Sequence, residues 1–254
     1  MGWFSTGFDS IDNAYDFDSG SRGPRRFWMP PESEKRIIFL DNDPATYWEH
    51  NFKFNGSWQN WEPCKIRNKR ENVCEVCKRY PDKKPSFVGM FTVINMTAWT
   101  SKHGGEFCFG RELFVAKLGG KDKPGVLKKL ARLKKQHGEL TGCIFDTYRS
   151  GGLTEVIGDE FTFVEKIDKK KIESYGKKLL KEWAEEINEN IEDPEKHITL
   201  DKLWERAPWE PYDYDEILEM RSNEELKAMF GSGSTEGEEE GNDGSSSADE
   251  DVPY

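Results

Sequence analysis

Short β-like runs of mainly apolar residues, punctuated by turn residues, dominate the chain from residue 25 to residue 164. These runs are rich in β-branched and aromatic residues and are bounded by Gly, Pro, Asn and Asp, which is typical of β-strands. They predict strands at residues 36–40, 87–95, 107–109, 111–117, 142–148 and 159–164. A sheet is therefore expected to form the core of the protein.

One segment among these strands has a helical period instead. Over residues 125–135, apolar side chains fall on one side of a helix and lysines on the other, and Gly138 supplies an end signal. About five strands and one internal helix fit a small Greek-key barrel such as the OB-fold, and a β-sandwich is the competing arrangement. The sequence therefore predicts an α+β protein with an OB-fold-like β-barrel core at residues 25–167.

The remaining segments differ in composition from this core. Residues 168–230 place apolar residues at helical spacing among Lys and Glu, which predicts a helical C-terminal part of the core. Residues 231–254 contain almost no apolar side chain and cannot offset a backbone ordering cost of about 1–2 kcal/mol per residue, so we expect a disordered acidic tail. Residues 1–24 are predicted to be a poorly ordered or partner-dependent N-terminal arm.

Apolar runs, the chain start and the cysteines restrict the location of the protein. No apolar run approaches the roughly 20 residues that a membrane-spanning helix needs. The start of the chain lacks the basic and apolar segments of a secretory signal. The cysteine count is five, an odd number. Together these features predict a cytoplasmic protein that does not engage a membrane, with cysteines that bind a metal or stay free.

The net charge of −11 argues at first against nucleic acid as a partner. The charge is unevenly distributed, however, because residues 53–149 hold 20 basic and 9 acidic side chains, a net charge of +11. Residues 150–230 have a net charge of −10, and residues 231–254 have a net charge of −8 without any basic side chain. A basic middle segment in an acidic chain keeps nucleic acid among the candidate partners.

The strongest local motif is Cys74-Glu-Val-Cys77. A Cys-x2-Cys knuckle brings two thiolates onto one tight turn, each about 2.3 Å from a shared ion. Upstream, Cys64 and His50 complete a possible set of four ligands. Four protein ligands leave no open position for a reactive water, so the motif predicts one structural Zn²⁺ rather than a catalytic one.

Alternatives to this ligand set remain open at the level of sequence. His103 or Cys108 can take the place of His50, although Cys108 and Cys143 lie in apolar runs typical of core cysteines. The thiols can also be free, and a redox-active pair is disfavoured because no βαβ pattern surrounds the motif. The loop between the ligands is charged and has little core of its own. The metal is therefore expected to supply much of the folding free energy of a zinc subdomain at about residues 47–85.

Aromatic and basic side chains are interleaved around this motif. Single-strand binders need such a mixture, because cations follow the phosphates while rings stack on unpaired bases at about 1–3 kcal/mol per base. A recognition helix of the kind that reads duplexes is not evident. The candidate nucleic-acid contacts are Tyr47, Trp48, Trp58, Trp61, Arg67, Lys69, Arg70, Lys78, Arg79, Trp99, Lys102, Arg111 and Lys117. The first four stand among polar residues and are expected to be exposed.

The order of metal ligands, strand-rich core, basic aromatic segment and acidic tail resembles the single-stranded DNA-binding (helix-destabilising) protein family of T-even-type bacteriophages. That family carries a zinc-binding loop with His, Cys and Cys-x2-Cys in an OB-fold core, and His50, Cys64, Cys74 and Cys77 match this order with nearly the same spacing. The resemblance covers residues 25–230 in organisation and about 45–80 in specific motif. It implies cooperative coating of single-stranded DNA in replication, recombination and repair, in the host cytoplasm if a phage encodes the chain.

The two ends of the chain carry their own signals. The last six residues, which are Asp249, Glu250, Asp251, Val252, Pro253 and Tyr254, are similar to the tip of bacterial single-stranded DNA-binding proteins. Such a tip fits a basic-rimmed pocket, so the tail is expected to bind replication or recombination proteins, with a merely solubilising tail as the alternative. The arm departs from the phage family, whose basic arm mediates self-association along DNA, because residues 1–24 carry four aspartates.

Two other functional classes compete with single-stranded DNA binding. A zinc-stabilised RNA-binding or transcription-associated module fits the same basic and aromatic segment. A metal-dependent nuclease fits poorly, because the sequence contains no cluster of His, Asp and Glu with an open metal position. The chain is therefore not expected to be an enzyme, and its acidic tail is expected to compete with DNA for the basic surface.

Overall fold

The computed structural model of the chain describes residues 24–100, 106–120, 124–152, 154–189, 191–217 and 221–232. The strands are β1 (Ser33–Phe39), β2 (Ala45–Phe54), β3 (Ser57–Pro63), β4 (Ser86–Asn95), β5 (Trp99–Thr100), β6 (Glu106–Phe107), β7 (Gly110–Lys117), β8 (Cys143–Arg149) and β9 (Glu160–Lys166). The helices are α1 (Glu75–Arg79), α2 (Val126–His137), α3 (Ile172–Asn188), α4 (Leu200–Arg206), α5 (Tyr214–Ile217) and α6 (Asn223–Ser232), with 3₁₀ turns at Lys169–Lys171 and Pro194–Lys196. Among the described residues, no helix has the length and apolar character to cross a membrane.

Seven of the strands form one antiparallel sheet, so the protein has the predicted α+β class. The strand order is β3-β2-β4-β1-β8-β9, and β7 pairs with the other edge of β4. β1 and β2 share one edge of β4, where Phe39 pairs with Val93 and Ala45 pairs with Met90. β5 and β6 form a separate two-stranded ribbon. Within the described residues this sheet is open, with β3, β7 and β9 at its edges.

Most of these elements follow the hydrophobic pattern of the sequence. Each predicted strand has a counterpart in the structure, and the helix predicted over residues 125–135 is α2, which ends at Gly138 with a φ of 83°. The β2–β3 hairpin is not among the predicted strands. Its turn is Asn55-Gly56, with φ values of 50° and 78°, and an Asn-Gly pair of this kind is a strong hairpin signal.

A core of aromatic rings lies on one face of the sheet, under α2. The ring centroid of Phe39 lies 5.4 Å from those of Phe91 and Phe114 and 5.9 Å from that of Phe145. The helix adds three buried side chains, Val126, Leu127 and Leu130. Burying each side chain of this size contributes about 1.5–3 kcal/mol, so this face carries a core that does not depend on the cysteine-rich loop.

The C-terminal segment covers the second face of the sheet. Ile172 of α3 and Trp209 pack on apolar residues of β1, β4 and β8, and Tyr212 and Tyr214 pack on those of β2, β4 and β7. Glycine is required at Gly176 of α3, because a Cβ atom there would lie 2.5 Å from the Trp209 ring. The predicted helical C-terminal part is thus a cover that follows the sheet from β8 towards β2.

Polar bonds fix this cover in place. The Tyr214 hydroxyl donates to Asp41 Oδ2 over 2.7 Å, and the Tyr212 backbone N–H donates to Thr92 Oγ1 over 2.9 Å. The Thr92 backbone N–H also donates to Asp41. Burial raises the pKa of Asp41, and the hydrogen bonds that it accepts from Thr92 and Tyr214 oppose the rise.

Candidate metal centre and nucleic-acid interface

The candidate metal centre begins where the β2–β3 hairpin leaves the sheet. Residues 45–49 of β2 pair with β4, and from Glu49 onward β2 pairs with β3. The register shifts between His50 and Phe52, as it does at a β-bulge, and His50 is 3% exposed. Bulges redirect side chains beside functional sites, and this one adjoins the predicted histidine ligand.

The three cysteines come from two turns that are held against β2. Cys64 follows β3 directly, and its backbone N–H donates to the Trp48 carbonyl over 2.8 Å. The Asn68 amide donates to the same carbonyl and accepts the Trp48 N–H through Oδ1, both over 2.8 Å. Cys74 immediately precedes α1, and Cys77 lies within it. Asn68, which no sequence motif identifies, therefore fixes the ligand-bearing turn to the hairpin.

The four predicted ligands meet at one point. The Sγ atoms of Cys64 and Cys77 lie 3.6 Å apart, and all four candidate ligand atoms lie within 4.8 Å of one another. The His50 Nε2 atom lies 3.6 Å from Cys74 Sγ and 3.4 Å from Cys77 Sγ. In a tetrahedral site with Zn–S of about 2.3 Å and Zn–N of about 2.0–2.1 Å, such atom pairs lie about 3.5–3.8 Å apart. The residues fit one tetrahedral ion, with Nε2 as the histidine ligand.

The thiols of this cluster have perturbed acidity. Burial would raise the pKa of the Cys74 thiol, but hydrogen bonds with His50 and with the backbone N–H groups of Cys77 and Lys65 lower it to about 6. Burial and the neighbouring thiols raise the pKa of Cys77 to about 12. A bound cation needs all three sulfurs as thiolates, so it would relieve the repulsion that otherwise keeps Cys77 protonated.

The structure confirms that His50 lies with the three motif cysteines. Cys108, the alternative ligand, instead donates to the Met96 carbonyl over 3.3 Å. Cys143 is fully buried in the core beneath α2, as expected from its apolar surroundings. His103 lies outside the described residues.

Two buried carboxylates beside the metal centre escape the sequence motifs. Glu49 and Glu62 are 0% and 4% exposed, although both are acidic residues in strands. Burial raises the pKa of Glu62 to about 7, and the positive charges of Arg221 and Lys65 oppose this rise. The sequence offers one signal for the role of Glu62: it is an acidic residue in a strand that leads directly to a cysteine ligand.

The last helix, α6, closes the other side of the centre. Asn223 Oδ1 accepts the Glu75 N–H over 3.2 Å, and Nδ2 donates to Glu71 Oε2 over 2.6 Å and to the Val73 carbonyl over 3.1 Å. Leu226 is fully buried in the same apolar cluster as the cysteine ligands. Asn223 and Glu75 are 148 residues apart in sequence, so local patterns cannot reveal this contact. We call residues 50–80 together with α6 the metal module.

Trp48 lies at the junction of the metal module and the sheet. Its half-buried ring contacts Phe87 edge to face, with centroids 5.2 Å apart, and the exposed Arg67 guanidinium lies 5.4 Å from the Trp48 centroid. A guanidinium over an aromatic ring is a cation–π pair. The junction therefore presents a ring and a cation together, which is the combination that single-strand binders use.

Basic side chains cover the solvent side of the metal module. The exposed candidates are Arg67, Lys69, Arg70, Lys78 and Arg79. Residues 64–85 hold eight basic and three acidic side chains, a net charge of +5. Lys78 and Arg79 also line a shallow surface groove, whose other side is formed by residues of α6. The structure thus groups these five predicted contacts on one module.

The expectation that Tyr47 is exposed is wrong. Tyr47 is 7% exposed, because the C-terminal cover packs over it, and its hydroxyl donates to Glu49 Oε2 over 3.0 Å. The polar neighbours that suggested exposure include its own buried hydrogen-bond partner. Tyr47 is therefore removed from the candidate nucleic-acid contacts.

The two predicted contacts on β7 lie at opposite ends of that strand. Lys117 is exposed and pairs with Val88 of β4, one residue from the partner of Trp48. Arg111 pairs with Ile94, and its guanidinium lies 4.2 Å from the ring centroid of Tyr212. Six residues of strand separate the two positions, a distance of about 20 Å. Because neighbouring strand residues point to opposite faces, Lys117, which is paired with Val88, lies on the opposite sheet face from Trp48, which is paired with Phe87. Arg111 shares the face of Lys117, so the structure groups neither residue with the junction at Trp48.

Other predicted contacts are described in part or not at all. Trp58 and Trp61 belong to β3 and Trp99 belongs to β5, and their side chains lie outside the description. Lys102, the arm residues 1–23 and the tip from Asp249 to Tyr254 lie outside the described residues. Their predicted roles stay predictions.

Comparison with known proteins adds no relative. No protein-family model matches the chain, and no curated protein sequence matches it. Function is therefore inferred from the site itself and from the resemblance of its motif.

Proposed function

We propose that the chain is a sequence-independent single-stranded DNA-binding protein without enzymatic activity. One structural Zn²⁺ holds the metal module, the basic side chains of the module bind phosphates, and aromatic rings at the junction with the sheet stack on bases. The protein coats and protects single-stranded DNA in replication, recombination and repair in the cytoplasm, with self-association along the strand. Its acidic tail recruits replication or recombination proteins.

One observation carries this proposal, which is the position of Arg67 over the Trp48 ring, within the segment of residues 64–85 that has a net charge of +5. Phosphate-tracking cations next to a partly exposed ring suit a flexible strand with unpaired bases. The ligand set supports the choice of zinc, because three thiolates and an imidazole in a closed site favour this ion. The order of those ligands adds the resemblance to the phage family.

We also propose that the sheet is an OB-fold-like barrel. The segment that precedes β1 supports this: the Leu113 N–H of β7 donates to the Arg25 carbonyl over 2.7 Å, and the Met29 N–H donates to the Val156 carbonyl over 2.8 Å. This segment thus bridges the free edge of β7 and the loop before β9, which are the two sides that a closed barrel must join. A module on the rim of such a barrel leaves a groove between the two for a single strand.

A fluorescence titration of the full chain with oligo-dT tests the proposed function. We expect tryptophan quenching, because bases stack on exposed rings, and a linear fall of log K with log salt of roughly 0.7 per neutralised phosphate. Tighter binding to poly-U than to poly-dT would replace the proposal with the RNA-binding alternative. Absence of salt-dependent binding to either polymer, or cleavage of a labelled strand with Mg²⁺ over hours, would contradict it.

The acidic tail begins beside the basic surface. Phe230 and Gly231, near the end of α6, line the same surface groove as Lys78 and Arg79. Residues 233–254 carry eight acidic side chains and no basic one. A polyanion attached at this point competes with DNA for the metal module, and DNA that displaces it frees the tip for partners.

Deleting residues 233–254 is expected to tighten binding to oligo-dT by about tenfold at low salt, because the attached competitor is lost. The gain should shrink as salt rises and screens the tail. The deletion must leave α6 intact, since Leu226 and Asn223 pack on the metal centre. Equilibrium titrations of both forms over a series of salt concentrations measure the effect.

The matched control keeps the tail length and replaces its eight acidic residues with Asn and Gln. If charge causes the competition, this variant binds DNA as tightly as the deletion. A variant lacking residues 249–254 should keep most of the competition and lose partner binding. Equal affinity of the full chain and the deletion at low and moderate salt would refute competition by the tail.

A further inference from the structure

Two buried carboxylates flank His50, but they face different ways. Glu49 precedes His50 on β2, and Glu62 is the direct cross-strand partner of His50 on β3. Neighbouring residues of a strand point to opposite faces, whereas directly opposed residues share a face. Glu62 therefore shares the face of the metal ligand, and Glu49 points to the opposite face.

The two carboxylates also differ in their hydrogen bonds. Glu49 accepts from the Tyr47 hydroxyl over 3.0 Å and from Asn51 Nδ2 over 2.8 Å. Glu62 Oε2 lies 3.7 Å from Arg221 Nη1. Its Oε1 atom is buried and has no hydrogen-bond partner among the described residues. A buried acceptor without a donor lowers the stability of the fold by about 1–3 kcal/mol, so a hydrogen bond to this oxygen would be stabilising.

His50 has one ring nitrogen available for such a partner. Its Nε2 atom faces the sulfurs of Cys74 and Cys77, at 3.6 and 3.4 Å, which leaves Nδ1 outside the ligand cluster. Histidines that bind metals commonly donate their second N–H to a carboxylate, which fixes the ring orientation and raises the basicity of the ligating nitrogen. Glu62 is not needed as a ligand, because four residues already complete a closed tetrahedral site.

We infer that Glu62 is the positioning residue of the metal centre: its Oε1 accepts the Nδ1–H of His50 when Nε2 binds the ion, and Arg221 balances the charge at Oε2. This inference rests on the metal-binding part of the proposed function. Arg221 also donates to Gln59 Oε1 over 3.1 Å and lies two residues before α6. Glu62 thereby connects the ligand strand with the C-terminal cover.

Replacing Glu62 by Leu is expected to weaken zinc binding 10- to 100-fold, the usual effect of losing such a partner. Leu has a similar volume but leaves Arg221 without its carboxylate, so a Glu62 that only pairs with Arg221 would lower the free energy of unfolding and leave the zinc affinity of the folded protein unchanged. Glu62→Gln keeps an acceptor oxygen without the charge, so its zinc affinity should lie between those of the wild type and Glu62→Leu. Competition of the full chain with a chromogenic zinc chelator gives the affinities, and urea unfolding gives the stabilities.

Glu49→Gln is the matched control for Glu62→Gln. Its carboxylate is equally buried on the adjacent position, so the change should lower the free energy of unfolding but leave the zinc affinity of the folded protein unchanged. Equal loss of zinc affinity in both variants would mean that burial, and not a bond to His50, explains the effect, and would overturn the inference.

A measurement on the wild-type protein keeps the inference testable if a variant does not fold. Long-range ¹H–¹⁵N spectra of the zinc-bound chain should show His50 protonated at Nδ1, with a proton that exchanges slowly with water. A rapidly exchanging Nδ1 proton would overturn the inference. If the wild-type chain binds no zinc, the inference and the metal-binding part of the proposed function both fail. If the wild type binds one ion and Glu62→Leu binds it equally tightly, the inference alone fails.

Discussion

Removing the metal with a chelator is expected to unfold the metal module while the α2-covered face of the sheet stays folded. The buried cluster of the module includes two of the ligands themselves, and its members are Phe52, Cys64, Cys74, Val76 and Leu226. Structural zinc supplies an apparent free energy of about 10–16 kcal/mol in zinc-finger peptides, which is more than so small a cluster can replace. Hydrogen exchange after chelation should accelerate in residues 50–80 and α6 and stay slow in β4, β7 and β8.

A pair of cysteine variants separates loss of the metal from loss of a buried thiol. Cys74→Ser should reproduce the effect of the chelator and abolish the expected binding of one zinc ion per chain, which native mass spectrometry measures. Cys143→Ser changes a thiol that is equally buried but lies under α2, so it should lower overall stability and leave the zinc content intact. Persistent protease resistance of residues 50–80 after the ion is removed would show that the metal does not hold the module.

Replacing Arg67, Lys69 and Arg70 by Gln is expected to reduce the affinity for oligo-dT roughly 100-fold at about 0.1 M salt. Each lost phosphate contact removes about 0.7 from the slope of log K against log salt, so three contacts should lower the slope by about 2. The turn that carries these residues is held by Asn68 and by Cys64, neither of which is changed. Titrations at several salt concentrations, with zinc content as a check on folding, measure both effects.

The control for this variant removes the same amount of charge from another place. Lys169, Lys170 and Lys171 form an exposed 3₁₀ turn after β9, which is at the opposite end of the strand order from β3. Replacing these three lysines by Gln should leave the salt slope almost unchanged. Equal losses in the two triple variants would indicate a general effect of net charge and would remove the metal module from the DNA interface.

The parts of the fold that the sequence predicts are those that local physics determines. Strand-forming residue content, helical spacing and end signals are properties of short segments, so β4, β7, β8 and α2 appear where the pattern places them. The ligand set is predictable for the same reason, since Cys74 and Cys77 share one turn. A tetrahedral zinc site needs two further Cys or His ligands, and Cys64 and His50 lie upstream. The β2–β3 hairpin also carried a local signal, at Asn55-Gly56, which the metal motif around it obscured.

The parts that the sequence does not predict depend on contacts between distant segments. Tyr47 is buried because residues 212–217 pack across β2, and no pattern near Tyr47 reports that cover. The same holds for Asn223, whose three hydrogen bonds attach α6 to a turn about 150 residues earlier. Such polar contacts are individually modest, about 0.5–1.5 kcal/mol each, and leave no periodicity in the chain.

The attachment of the tail at Gly231 has a consequence for how competition responds to dilution. A free acidic peptide would leave the basic surface as the protein is diluted, but a segment tethered at the rim of that surface keeps a fixed effective concentration, typically in the millimolar range. The 22 residues beyond α6 reach no farther than about 75 Å even when fully extended. Under the proposed competition, occupancy of the metal module by the tail would therefore be independent of protein concentration, and the amount of exposed single strand would set the balance.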